Sequence, residues 1–189
     1  YYGTPESEIG FDAEFPPHFD THTKLATWNA LHALNLINCD VAISPTEWQR
    51  SRHPAILQSK IQLIHEGVDT ERLGPDANAS ITLPSGVTLR KGDPVITYVA
   101  RNLEPYRGFH VMMRALEKIQ RQHPTCHMII VGGDDVSYGS KPKDALNWRE
   151  KMLKEVKIDP QRTHFMGKVP YAVYCTILQV SAAHLYLSY

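Results

Sequence analysis

PVITYVARNLEPYRGFHVMMRALEKI, residues 94–119, decides how the rest of the chain is read. Val95, Ile96, Tyr98, Val99 and Ala100 form a near-continuous apolar run of strand length, as a parallel strand covered on both faces requires. Residues 101–108 then read as a short polar loop. Phe109, Met112, Met113, Leu116 and Ile119 recur at helical spacing as one apolar stripe. Arg101 and Arg107 therefore flank the point where a strand hands over to a helix. The first N–H groups of a helix lack intrahelical partners, and the helix dipole adds partial positive charge there. Phosphate binds readily at such a corner. Two guanidinium groups supply permanent charge and forked donors that match phosphate oxygens. Gly108 lets backbone approach closely. The plain alternative is a pair of surface arginines, one of them paired with Glu104.

Downstream, the same rhythm repeats. CHMIIV, residues 126–131, reads as a second buried strand and ends in Gly132, Gly133, Asp134 and Asp135. Trp148, Met152, Leu153 and Val156 set out a helix. THFM, residues 163–166, is a third strand closed by Gly167, Lys168, Val169 and Pro170. Val173, Ile177 and Val180 mark another helix, and residues 182–189 read as a terminal core strand. The back half is thus a β-α-β-α-β-α-β series suited to right-handed crossovers and a Rossmann-like parallel sheet flanked by helices. In an open parallel sheet, ligands sit at the carboxyl ends of the strands. Residues 101–108, 132–135 and 167–169 are expected to converge there around an anionic, nucleotide-like ligand.

Upstream, residues 1–19 read as loop. A helix is expected from Thr23, capped by the hydroxyl of Thr21 or Thr23, with Leu25, Trp28, Leu31, Leu34 and Leu36 helically spaced. Residues 39–44 and 60–65 read as short strands, with a helical turn from Pro45 between them. Gly, Pro, Asp and Asn dominate residues 67–79, which mark a linker between a domain at 1–66 and another at 80–189. Residues 81–91 suggest a hairpin around Pro84, Ser85 and Gly86.

Twenty basic and twenty acidic residues cancel, so no bulk field points to nucleic acid or an anionic membrane. Cys39, Cys126 and Cys175 are far apart and beside apolar residues, which suits buried free thiols in a reducing, cytoplasmic compartment. The ten histidines are scattered, with no zinc spacing. No apolar run approaches a membrane span.

Four segments together resemble family 4, GT-B-fold glycosyltransferases. Residues 64–75, IHEGVDTERLGP, resemble the family's G-V-D-x-x-x-F-x-P interdomain segment. Ala100-Arg101 through Tyr106-Arg107-Gly108 resembles its G-R…K-G loop, IIVGGD its I-V-G-x-G strand end, and HFMGKV its F-x-G-x-V segment. The resemblance runs over residues 40–189, in order and in register. It implies two facing Rossmann-like domains, of which this chain holds the tail of the acceptor-side one and an incomplete donor-side one. It implies a retaining transfer of sugar from a UDP-, GDP- or ADP-sugar to a glycan, lipid or small-molecule acceptor, without a cofactor or a metal. Arg101 and Arg107 would contact the donor diphosphate, stabilising the leaving nucleoside diphosphate. Gly108 would present the helix N terminus, Gly132 and Gly133 would line the cleft, and Lys168 and Val169 would border the base.

The chain departs from the pattern at Arg107, where the family carries lysine, and at Ala100, where glycine is common. The paired catalytic glutamates, E-x7-E, are expected beyond Tyr189, so a piece of this extent is expected to be inactive alone. No histidine matches the family's catalytic-side histidine, and His18 and His22 lie nearest to it. Peripheral membrane association of the whole protein and self-association through exposed sheet edges stay open. Two other readings remain. One is a non-catalytic α/β module that binds an anion, nucleotide or protein. The other is a receiver or flavodoxin-like domain with Asp134 and Asp135 as phospho-acceptors.

Overall fold

The computed structural model describes residues 3–5, 9, 10 and 12–188. The chain divides into two compact units, residues 1–68 and 69–189, and the division falls inside the glycine- and proline-rich segment expected as a linker.

The first unit is built on α1 (Thr21–Asn38), β1 (Ala42–Ser44), α2 (Glu47–Ser51), α3 (Ala55–Gln58) and β2 (Ile61–Leu63). Thr21 and Thr23 lie within α1, and Asp20 is its N-cap residue. The Asp20 carboxylate caps nothing, because it pairs with His18 and Lys24 at 2.7 and 2.8 Å. At the other end, Lys60 Nζ donates to the carbonyls of Leu36, Ile37 and Cys39 at 2.8–3.1 Å. A cation thus closes the electronegative end of the helix. Thr46 caps α2 by accepting from the Gln49 N–H at 3.2 Å. β1 and β2 pair in parallel, Ala42 opposite Ile61, and both are shorter than the sequence suggests. Among the described side chains of this unit, those of Leu36, Ser44 and Ile61 are buried. Cys39 is half-buried, whereas Cys126 and Cys175 are buried thiols as expected.

The second unit opens with the expected hairpin, β3 (Ser80–Thr82) antiparallel to β4 (Thr88–Arg90), turning through Gly86 at φ +84°. It continues as β5 (Val95–Asn102), a 3-10 turn (Pro105–Arg107), α4 (Phe109–Gln122), β6 (His127–Gly133), α5 (Trp148–Glu155), β7 (Thr163–Gly167), α6 (Tyr171–Val180) and β8 (Ala183–Leu185). β5 to β8 form one parallel sheet in the order β7-β6-β5-β8. Alternation along the central strands sends side chains to both faces. Tyr98, Met128 and Ile130 pack with Phe109, Met112, Met113 and Leu116 of α4 and Met152 of α5. Val95, Ile129 and Val131 pack with Ile177 and Val180 of α6 and with Leu83 and Leu89 of the hairpin. A parallel sheet with helices on both faces is the α/β architecture that the sequence indicates. The order also bears on the flavodoxin-like reading, which would seat the third strand beside the first. Here the third strand, β7, lies beside the second.

Candidate functional site

Counted from β5, the strand order is third, second, first, fourth. The chain reverses its travel across the sheet between β5 and β8, and ligand crevices form at such a switch point, outside the strands' carboxyl ends. The segments that leave it are residues 103–108 and 186–188. The sequence reading names the first and passes over the second.

Arg107 closes the 3-10 turn and is half-buried. Its carbonyl accepts from the Tyr98 hydroxyl at 2.8 Å. Burial, above all, pushes the Tyr98 phenol well up, with Glu104 adding and Arg107 opposing, so it stays a protonated donor. Arg107 Nη1 donates to Ser188 Oγ at 3.2 Å. The guanidinium carbon stands 5.1 Å from the Tyr138 ring centroid, and that ring in turn lies 5.4 Å from the Tyr106 ring.

Gly108 follows in the left-handed region at φ +67°. A Cβ there would lie 2.5 Å from Leu187 Cβ and from the Leu187 carbonyl oxygen, so only glycine fits. The N terminus of α4 is therefore covered at this point by Leu187 rather than facing open space. Arg101 is exposed, and lies in β5 rather than in a loop, where the ladder to β6 shifts register between Val99 and Asn102. It makes no side-chain hydrogen bond or ion pair among the described residues.

Glu104 is not paired with an arginine. Its side chain is fully buried, and Oε2 accepts from the consecutive N–H groups of Ser137, Tyr138 and Gly139 at 3.0, 3.2 and 3.1 Å. Asn102 Nδ2 donates to Ser137 Oγ at 2.8 Å, and Trp148 Nε1 donates to the Ser140 carbonyl at 2.9 Å. The loop after β6 is thus fastened onto the corner after β5.

The glycines at the end of β6 are places of close approach. A Cβ on Gly132, at φ +156°, would lie 2.8 Å from both the Ala100 carbonyl oxygen and Leu103 Cδ2. On Gly133 it would lie 2.7 Å from Asn102 Oδ1 and from Lys168 Cε. Lys168 therefore lays its stem across Gly133 beside Asn102, while Val169 is half-buried against the α6 side of the core. Asp134 pairs with Arg149 at 2.8 Å, and Asp135 lies 3.8 Å from Lys141. Asn102 Oδ1, Glu104 Oε1 and Asp134 Oδ1 are buried acceptor atoms without a hydrogen-bond partner among the described residues.

Arg107, Gly108, Tyr138 and Ser188 thus form one group, and Asn102, Gly132, Gly133 and Lys168 a second. Arg101 hydrogen-bonds to neither. In the first unit His18 is exposed, paired with Asp20 and set against the Phe19 ring at 4.4 Å; His22 is exposed. Cavities among the described residues elsewhere include one of about 410 Å³ lined by His32, Cys39, Gln49 and His53, and one of about 210 Å³ beside Asp144 and Lys154. The sequence reading missed the roles of Asn102, Glu104, Tyr138 and Ser188. The available signals were an acid confined between Leu103 and Pro105 and the Ser-Tyr-Gly-Ser run at 137–140, whose turn-forming backbone lets N–H groups converge.

Comparison with known proteins agrees with this architecture. Residues 1–73 match the sequence model of the Glycosyl transferase family 4 group. That match begins well before residue 40, where the motif resemblance begins. Over 99 residues the chain is 33% identical to the GDP-mannose-dependent alpha-(1-6)-phosphatidylinositol monomannoside mannosyltransferase of Mycolicibacterium smegmatis. That alignment takes in 51% of this chain and 25% of the relative, so the chain spans about a quarter of it. Among solved structures, 95% of the chain superposes on 29% of TarM with a TM-score of 0.56 at 16% identity. It also superposes on a point variant of S. aureus TarM in complex with fondaparinux, alpha-GlcNAc-glycerol and UDP, with a TM-score of 0.52 at 12% identity over 35% of that chain. The α/β fold with its parallel sheet is shared with these GT-B structural neighbours, and the family 4 resemblance read from the motifs is borne out.

Proposed function

We propose that residues 69–189 hold the diphosphate of a nucleotide-sugar at the β5–β8 switch point, in a retaining glycosyltransferase that acts on a glycan, lipid or small-molecule acceptor. What carries the reading is Arg107, oriented by Tyr138 and Ser188 beside the first turn of α4. Its remaining donors and fixed charge suit the charge that develops on a leaving nucleoside diphosphate. Arg101 is the second cation of the site, joining once a ligand is present, and Gly108 shapes the start of α4. Lys168 and Val169, with Gly133, border the nucleoside. The phosphate chemistry requires no metal here, because guanidinium groups and backbone dipoles carry the countercharge. The mycobacterial relative uses GDP-mannose, which makes it the first donor to test.

Titration of the intact protein with GDP-, UDP- and ADP-sugars tests this. Arg101→Ala and Arg107→Ala are each expected to weaken the preferred donor about tenfold or more, the scale of a lost charge-assisted contact. Absence of nucleotide-sugar binding in the intact protein would overturn the proposal. One observation favours the non-catalytic module instead: Leu187 sits directly on Gly108. That reading expects anion binding with no sugar transferred to any acceptor.

A further inference from the structure

We infer that Glu104 is a positioning residue for diphosphate binding, acting on Arg107 through Tyr138; this rests on the donor reading above. Three consecutive backbone N–H groups that converge on one point form a nest suited to an anion. Here the anion is internal. Glu104 is 0% exposed, and its Oε2 takes all three donors, from Ser137, Tyr138 and Gly139. A carboxylate out of water persists only when hydrogen bonds replace its hydration, so the loop and the acid hold each other in place. The backbone is fixed on both sides of Tyr138, and with it the base of that side chain.

Tyr138 is itself 60% exposed, so its ring adds little to the core. What the ring meets is Arg107 on one side of the cluster and Tyr106 on another. A guanidinium stacked on an aromatic face keeps its N–H edge free to meet oxygens in plane. Ser188 occupies Nη1, which leaves the other donors of Arg107 for a ligand. An unrestrained arginine loses rotamer freedom when it binds; one already stacked loses less. The clamp therefore belongs to affinity. It also brings the loop after β6 into a site otherwise built from the loops after β5 and β8.

Calorimetric titration of the intact protein with inorganic pyrophosphate tests the inference, with thermal midpoints and amide exchange measured alongside. Tyr138→Ala is expected to weaken pyrophosphate about three- to tenfold, the scale of one side chain's ordering, without moving the thermal midpoint. Tyr138→Phe keeps the ring and is expected to recover most of that loss. Glu104→Gln is expected to expose the amides of 137–139 to exchange and to weaken pyrophosphate by a similar factor. Combined with Tyr138→Ala it adds nothing further, because both act on the same guanidinium. If Glu104→Gln does not fold, the Tyr138 pair decides alone. Parent-like affinity in Tyr138→Ala, while Arg107→Ala binds weakly, overturns the inference and leaves the donor reading standing. Parent-like affinity in Arg107→Ala removes the donor reading and the inference with it.

Discussion

Neighbouring glycines can answer to different constraints, and Gly132 and Gly133 separate them. A Cβ at Gly132 would strike the Ala100 carbonyl oxygen and Leu103 at a backbone angle that L residues rarely adopt. Neither neighbour can move without disturbing the β5 ladder or the buried Leu103. At Gly133 the obstacles are two side-chain ends, Asn102 Oδ1 and the flexible stem of Lys168. Gly132→Ala is accordingly expected to cost about 2–4 kcal/mol, combining backbone strain with overpacking. Gly133→Ala is expected to cost less, about 1–2 kcal/mol, since the Lys168 stem can swing aside and only the Asn102 amide must shift, and to act also on ligand binding. Urea denaturation of both variants settles the order; equal losses would show that Gly132 packs no more tightly against β5 than Gly133 does. The pattern of glycines after a strand was legible in the sequence. Which of the two is structurally obligatory was not, because that depends on a register shift in the partner strand.

At the scale of elements, what could be read depended on whether the partner surface lies within the same stretch of chain. β5 and α4 were legible because each buries its apolar stripe on the other within a few residues. α1 was legible as a helix but not in its burial: Trp28, Leu31 and Leu34 have the expected helical spacing, yet they are exposed, and Leu36 alone of the apolar set is buried. Periodicity reports which side chains need a partner, not whether one is present. The N-terminal ends of β6 and β7 hold a pairing that no motif announced. His127 Nδ1 and His164 Nε2 lie 3.0 Å apart, and the rings are 9° from parallel. Burial first, and the neighbouring His127 second, hold the His164 imidazole below its ordinary value of 6.5. The folded state therefore binds this proton less readily than the unfolded chain does. Stability is full above about 6.5 and falls as pH drops from there towards the lowered folded value, with a slope of up to about 1.4 kcal/mol per pH unit per proton. Burial lowers His184 in the same direction, so the two contributions overlap. His164→Gln is expected to flatten the decline of denaturation midpoints between pH 7 and 5 relative to the parent; an unchanged slope would show that His164 takes up no proton on unfolding.

The two units differ in how much of a core each one has. Residues 69–189 carry a four-stranded sheet, covered on both faces by two apolar clusters. The described part of residues 1–68 carries two strands of three residues each and few buried side chains. Independent stability requires three or more strands over an apolar face, or strands packed on a helix, and α1 buries only Leu36 of its apolar side chains. The composition of residues 67–79 suggests the boundary, and two short strands before it against four after it already point to the imbalance. Residues 65–72 are exposed throughout, so a protease should find them first. Limited proteolysis is expected to cut within 65–72 and to release a product close to residues 69–189 that still unfolds in one cooperative step. Its urea dependence should be about 1–3 kcal/mol per molar, as for other small two-state domains. Residues 1–68, expressed alone, are expected to melt without a cooperative transition, since Leu36 and Ile61, the buried apolar side chains among its described residues, bury too little surface to offset the entropy of ordering α1. Amide exchange distinguishes the outcomes: strong protection along β5 and β6 beside weak protection along α1 supports an unequal pair of units. Equal protection in the two separated pieces would show that the first unit's stability does not come from the contacts visible within it.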